Sequence, residues 1–193
     1  MNAPSLIAID PRVSALARTW GWRTLRFWPA AAGLFAALML ATAHAFEAAG
    51  YEPCALCLRQ REAYWGVLAI AAASSFIWWR APDGQLARAV GALLGAAFRT
   101  GAIVAASHAG VEWKFWPGPA TCTAGAAGLT SDDILGALGR GGPVVLCDEA
   151  AWRDPVLRLS MAGWNAVIST ALAAISALAV RRGATDAVGR VHG

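Results

Sequence analysis

The sequence predicts an all-α membrane protein: a four-helix transmembrane bundle with one long loop on the outward, periplasmic side that carries a short amphipathic helix. Three observations lead there. Hydrophobic residues make up 58% of the 193-residue chain and charged residues only 15%, a balance too apolar for an ordinary soluble domain. The apolar residues gather into four blocks, near 27–46, 63–79, 89–107 and 161–180, each close to the roughly 20 residues a helix needs to cross hydrocarbon. Arginines cluster at Arg12, Arg18, Arg23 and Arg26, at Arg80 and Arg88, and at Arg181, Arg182 and Arg190. The tendency of cytoplasmic segments to carry Lys and Arg puts those three segments inside.

The expected organisation is a cytoplasmic segment over 1–26, a membrane domain over 27–180 with outward loops near 47–62 and 109–160, and a cytoplasmic tail over 181–193. All four cysteines then lie outward, where disulfides persist. The net charge of +4 comes from arginines scattered at helix ends rather than gathered in a patch, which excludes a nucleic-acid role.

In the first block, Trp20, Trp22 and Trp28 suit an interfacial anchor. Small-residue triplets such as Ala43-His44-Ala45 resemble signal cleavage sites, but the polar region before the block is longer than a whole signal peptide. His44 reads as an interfacial histidine.

The second block opens on Pro53-Cys54-Ala55-Leu56-Cys57-Leu58-Arg59-Gln60-Arg61. Proline suits a helix start, so the Cys-x-x-Cys pair stands at a helix N-terminus, where unpaired N–H groups and the helix dipole favour a thiolate. Cys54, Cys57 and Arg61 follow i, i+3, i+7 spacing and share a face. Arg61 is deep enough to need a partner or a ligand, whereas Arg59 points elsewhere and snorkels to head groups. Tyr64, Trp65, Trp78 and Trp79 read as aromatic belts.

The third block carries Arg99 near mid-membrane, a functional candidate by depth alone. His108, nine residues on, falls on the opposite side of the helix and near the outer surface. The small residues Gly33, Ala36 and Gly95 suit close helix packing.

In the long loop, 113–119 is an irregular aromatic segment leading to Cys122. Thr130-Ser131-Asp132-Asp133 is a capping signal for the short amphipathic helix through Leu138. The chain returns through 144–146 to Cys147. One Cys-x-x-Cys with a distant pair is a poor zinc pattern, since structural sites repeat close-spaced ligands. No metal is expected, and no strand-borne Gly-x-Gly-x-x-Gly suggests nicotinamide or flavin.

Taken together, Cys54-x-Leu56-Cys57-x-x-x-Arg61, Ala97-Phe98-Arg99, His108, Trp116-Pro117-x-Pro119-x-x-Cys122, Cys147-x-Glu149-x-x-Trp152 and Met161-x-x-Trp164 resemble the DsbB family of bacterial disulfide oxidases over residues 27–180. The resemblance implies an inner-membrane, quinone-dependent protein-disulfide oxidoreductase. Its catalytic residues would be Cys54, Cys57, Cys122 and Cys147, with a loop disulfide Cys122–Cys147 attacked by a DsbA-like periplasmic thiol oxidase. It further implies that Cys57 gives electrons to a quinone, ubiquinone or menaquinone. Arg61 would lower the Cys57 pKa and bind a quinone carbonyl, and His108 would serve the other carbonyl or supply a proton. The alternatives are a membrane metal-handling protein, which would carry stoichiometric metal, and a structural membrane protein with inert disulfides.

Overall fold

The computed structural model describes residues 11–80, 84–119 and 146–188, with side chains for 25–77, 85–119 and 146–181. The described residues form four helices: α1 (Pro11–Ala48), α2 (Ala55–Arg80), α3 (Gly84–Glu112) and α4 (Met161–Val188). Three of them hold segments long and apolar enough to cross a membrane, Leu25–Ala48, Gln85–Glu112 and Met161–Arg181. The short amphipathic helix expected near 132–138, and Cys122, lie outside the described residues.

The helix that holds the first apolar block begins well before it, because α1 runs continuously from Pro11. Proline at the first helical position is pre-organised for a helix start, and helix-forming Ala, Leu and Arg follow with no glycine until Gly21.

The interior is an apolar stripe from each helix. Leu25, Trp28, Ala32, Ala36 and Leu40 follow i, i+3, i+4 spacing on α1 and meet Tyr64 and Val67 of α2, Leu94 and Phe98 of α3 and Leu172 of α4. The outer surface carries Leu34, Leu38, Phe76, Ile103, Ile175 and Leu178, each at least two-fifths exposed. An apolar exterior of this extent suits contact with lipid. Small residues set the helix spacing. A Cβ added at Gly33 would stand 2.9 Å from Ala71 of α2, and one at Gly95 3.1 Å from Ser176 of α4.

Two tryptophan and tyrosine readings are corrected. Trp28 is no interfacial anchor, because it sits on the inward stripe and its Nε1 donates to Ser176 Oγ at 3.0 Å. Tyr64 is buried and hydrogen-bonded across the bundle, whereas its neighbour Trp65 is 56% exposed, as a belt residue would be.

Backbone caps shape the C-terminal ends of α1 and α3. At the end of α1, Gly50 takes φ 92°, with Gly50 N–H on Glu47 C=O (3.0 Å) and Tyr51 N–H on Phe46 C=O (3.1 Å). This is a Schellman cap, and the left-handed position is one glycine occupies without steric cost. α3 ends the same way with a non-glycine. Lys114 adopts φ 61°, Lys114 N–H bonds Val111 C=O and Phe115 N–H bonds Gly110 C=O. The turn folds Trp116 back over α3, where its Nε1 donates to Ser107 C=O at 3.0 Å.

The chain before α4 is knotted around Asp154. Its carboxylate accepts the N–H groups of Val156, Leu157 and Leu159 and the Trp164 indole. Ser160 then caps α4 through Gly163 N–H.

Trp116 leaves no room at Gly110, where an added Cβ would stand 2.0 Å from the indole ring. Gly110→Ala is expected to displace Trp116 and destabilise the protein by about 1–3 kcal/mol. A lower midpoint of thermal unfolding in detergent checks this, and Ala102→Gly, on a half-buried stretch of the same helix, serves as the comparison.

Candidate redox and cofactor site

Cys54 is the N-cap of α2, one residue before the helix proper. Its carbonyl accepts Leu58 N–H at 3.1 Å, and its sulfur takes the place of the usual capping oxygen by accepting Cys57 N–H at 3.3 Å. Cys57 Sγ lies 3.0 Å from Cys54 Sγ, and both cysteines are free thiols. His108 Nε2 approaches Cys54 Sγ at 3.6 Å. The Cys57 thiol, more than any other group, lowers the Cys54 pKa; burial opposes it and His108 adds to it. The groups that stabilise a thiolate therefore converge on Cys54, where the resemblance pointed to Cys57. The reason is positional: the N-cap sulfur, not the one three residues on, faces the free N–H groups.

The orientation of His108 is fixed from behind. The Gln60 side-chain amide stands 2.7 Å from Nδ1. Gln60 Oε1 accepts from Asn165 Nδ2, and Asn165 Oδ1 accepts from Tyr64 O–H and from Ser169 O–H. Because the Gln60 carbonyl is occupied by Asn165, its NH₂ faces the imidazole, so Nδ1 accepts and Nε2 carries the proton. A protonated Nε2 donates to sulfur and is not a metal ligand. Cys54, Cys57 and His108 lie close enough to suggest a metal cluster by distance. The hydrogen-bond pattern instead makes the histidine a donor.

Arg61 is nearly buried and has a partner that sequence reading did not supply. Its guanidinium donates to Glu47 Oε2 at 2.6 Å and to Ala43 C=O at 3.3 Å, both on α1. His44 joins the same carboxylate at 3.4 Å from an exposed position. Arg59 pairs with Glu62 at the surface. Arg99 is exposed on the outer face of α3, while His108 is on the buried face of that helix.

Cys147 is fully buried, disulfide-bonded, and packed against Cys54 with Leu56 and Cys57 at the edge of the contact. Lys114 holds it there. The ammonium at the left-handed turn after α3 donates to the carboxylate and the carbonyl of Asp148, at 2.7 and 2.9 Å. That ammonium keeps the Asp148 carboxyl below the usual carboxylate range. Trp152 then packs against Phe46 of α1, with ring centroids 5.3 Å apart and the ring planes tilted by 58°.

These groups surround a cavity of about 460 Å³. Met39, Leu40 and Ile168 give it apolar walls, and Cys54, Cys57, Arg61, His108 and Glu112 give it chemistry. Few polar groups in an apolar cleft of a few hundred Å³ is the usual form of a small-molecule site.

The sequence profile of the family described as Disulfide bond formation protein DsbB matches residues 25–179. The chain belongs to the DsbB family. Membership makes it a membrane protein of disulfide bond formation and a disulfide oxidoreductase. No curated protein and no solved structure matches the chain.

Of the expected site residues, Cys54, Cys57, Arg61, His108 and Cys147 come together, and Cys122 lies outside the described residues. Gln60, Asn165, Glu47 and Glu112 were missed. Glu112 stood one helical turn from His108 and could have been found by that spacing. Asn165, a polar residue inside an apolar block, was a second available signal.

In the reduced protein, Cys54 is expected to be alkylated by iodoacetamide at pH values below the ordinary thiol range. His108→Ala should move the midpoint of the rate–pH profile upward by about one unit, through loss of a hydrogen bond to a charged group. Peptide mapping of the labelled cysteine checks both statements; an unmoved midpoint would contradict the geometry.

Proposed function

We propose that this protein is a bacterial inner-membrane thiol oxidase that takes electrons from a DsbA-like periplasmic dithiol protein and passes them to membrane quinone. The observation that carries this reading is the packing of the bonded Cys147 on the free Cys54, beside a cavity lined by Cys57 and Arg61. Thiol–disulfide exchange needs two sulfurs in contact and one of them a thiolate, and this pair supplies both conditions.

In this reading α2 is the fourth span. Its 26 residues extend about 39 Å, enough for hydrocarbon, with the charged turn at 59–62 near the outward surface and both chain ends in the cytoplasm. The relay starts from a Cys122–Cys147 disulfide and an oxidised Cys54–Cys57 pair. A thiolate of the partner attacks Cys122, and Cys147 leaves as a thiolate. Cys147 attacks Cys54, and Cys57 is freed. The partner's second thiol resolves its bond to Cys122 and leaves as a disulfide. Cys122 then recaptures Cys147, so both electrons rest on Cys54 and Cys57.

A bound quinone supplies an acceptor for two electrons and two protons. The cavity residues fit it. Met39, Leu40 and Ile168 would take its ring and tail, and Arg61 uses only part of its donor set on Glu47 and Ala43, leaving N–H groups for a carbonyl oxygen. His108 enters as the group that holds Cys54, since both ring nitrogens are engaged by protein atoms.

Quinone reduction by detergent-purified protein, supplied with a reduced thioredoxin-like periplasmic partner, tests the reading. Each Cys→Ser variant should lose turnover, and Arg61→Ala should weaken quinone binding about tenfold, the value of one charged hydrogen bond. Full quinone reduction by Cys57→Ser would overturn the assignment. Stoichiometric metal with no quinone reduction in wild type would favour the metal-handling alternative.

A further inference from the structure

Between Trp152 and α4 the chain makes a turn that holds two apolar side chains away from the protein. Val156 is 83% exposed, more than any other large hydrophobic side chain among the described residues, and Leu157 is 61% exposed. Their backbone is fixed from within. Asp154 Oδ1 accepts the N–H groups of Val156 and Leu157 at 2.9 and 2.7 Å, and Oδ2 accepts that of Leu159 at 2.9 Å. Asp154 N–H bonds Leu159 C=O, Arg158 N–H bonds Asp154 C=O, and Arg153 faces Ser160 in an antiparallel bridge at the base of the turn. Arg158 takes φ 56°, a left-handed conformation that a non-glycine residue holds only when its surroundings impose it. The hydrophobic effect favours turning a valine and a leucine inward. This turn instead presents both.

The depth of the turn is set by α4. The Trp164 indole donates to Asp154 Oδ2 at 3.1 Å, and Trp164 lies in the first turn of the span Met161–Arg181. That residue is about 4.5 Å inside the end of the helix at 1.5 Å per residue. The turn is therefore pinned beside the beginning of a membrane span, not held above it. At the same end of the bundle, the exposed Trp113, Phe115 and Trp116 follow α3, side chains typical of the membrane–water boundary.

Charge selects the occupant. Arg153 and Arg158, both exposed, flank the apolar pair. The one carboxylate of the turn, Asp154, is already engaged by three backbone N–H groups and an indole, and Arg153 uses a single Nη1 contact on Arg158 C=O at 3.5 Å. Both guanidiniums thus keep donors for an anion outside the protein. Two apolar side chains between two cations match the layered chemistry of a phospholipid surface, acyl chains below phosphates.

We propose that the turn 153–159 is a membrane-surface anchor: Val156 and Leu157 enter the acyl region of the leaflet at the sulfur-bearing end of the bundle, and Arg153 and Arg158 bind its lipid phosphates. Anchored there, the turn fixes where the loop that carries Cys147 returns to the bundle. The proposal stands on the span and the turn alone and does not require quinone chemistry.

The test is photocrosslinking of the full-length protein in vesicles of phosphatidylethanolamine and phosphatidylglycerol, with p-benzoylphenylalanine placed at Leu157. The same probe at Ile103, exposed on the apolar outer face of α3, reports that the variant is inserted and that lipid adducts are detectable. Mass spectrometry of the peptide holding position 157 is expected to show the added mass of one phospholipid, attached through an acyl chain. Charge reversal by Arg153→Glu with Arg158→Glu should lower the adduct yield at 157 about fivefold or more, the equivalent of one basic residue at an anionic surface, and leave the yield at 103 unchanged. Crosslinks from 157 to residues 120–145, to a second copy of the chain or to another protein would overturn the proposal. Absence of any adduct at 157 while 103 is labelled would overturn it as well, and an unchanged yield in the charge-reversed variant would overturn the part assigned to the arginines.

Discussion

The hydrogen-bond chain from His108 through Gln60 to Asn165, Tyr64 and Ser169 is the constraint on which the rest of the site depends. Its members come from α2, α3 and α4 and are all buried. Inside an apolar bundle, none of these groups can turn to water, so each must be satisfied by another. The chain is directional, because every amide has one donating and one accepting end, and that direction reaches the imidazole as a fixed tautomer. Removing a member would leave its neighbours unpaired at a cost of about 1–3 kcal/mol each, so the network ties helix packing to the protonation pattern beside Cys54.

Around that fixed centre, the sulfurs divide into a held pair and a delivered one. Cys54 and Cys57 are held by the first turn of α2, where the Cys57 N–H donates to the Cys54 sulfur. Cys147 sits on a loop that packs it against Cys54, and the neighbouring loop residues are tied down by Lys114 on Asp148 and Trp152 against Phe46. Contacts of that kind are weaker than helix packing, since exposed ion pairs contribute about 1 kcal/mol or less. The arrangement suits an exchange reaction, in which one sulfur must come and go while the other stays beside its hydrogen-bond donors.

The helical fold was legible because apolar blocks of membrane length are a coarse signal that composition and cation placement carry well. The grouping of Cys54, Cys57 and Arg61 was legible from helical spacing, and His108 from depth. What the sequence did not disclose depends on packing between helices. Nothing in the first block marks Glu47 as the partner of Arg61, because the two are joined only when α1 lies against α2. Trp28 and Tyr64 read as belt residues because an indole or phenol suits an interface and a buried polar contact equally. The transfer of thiolate character from Cys57 to Cys54 turned on one residue of helix boundary, the quantity that periodicity fixes least well.

The claim that the loop sulfur Cys147 exchanges with Cys54 is tested most directly by trapping that bond. In a Cys57→Ser, Cys122→Ser variant, Cys54 and Cys147 are the only thiols of the chain. After mild oxidation of the purified protein, peptide mapping by mass spectrometry should find them joined within one molecule, and Lys114→Ala should slow the joining. Cys54 and Cys147 both remaining free, or each linked only to a second molecule, would contradict the account.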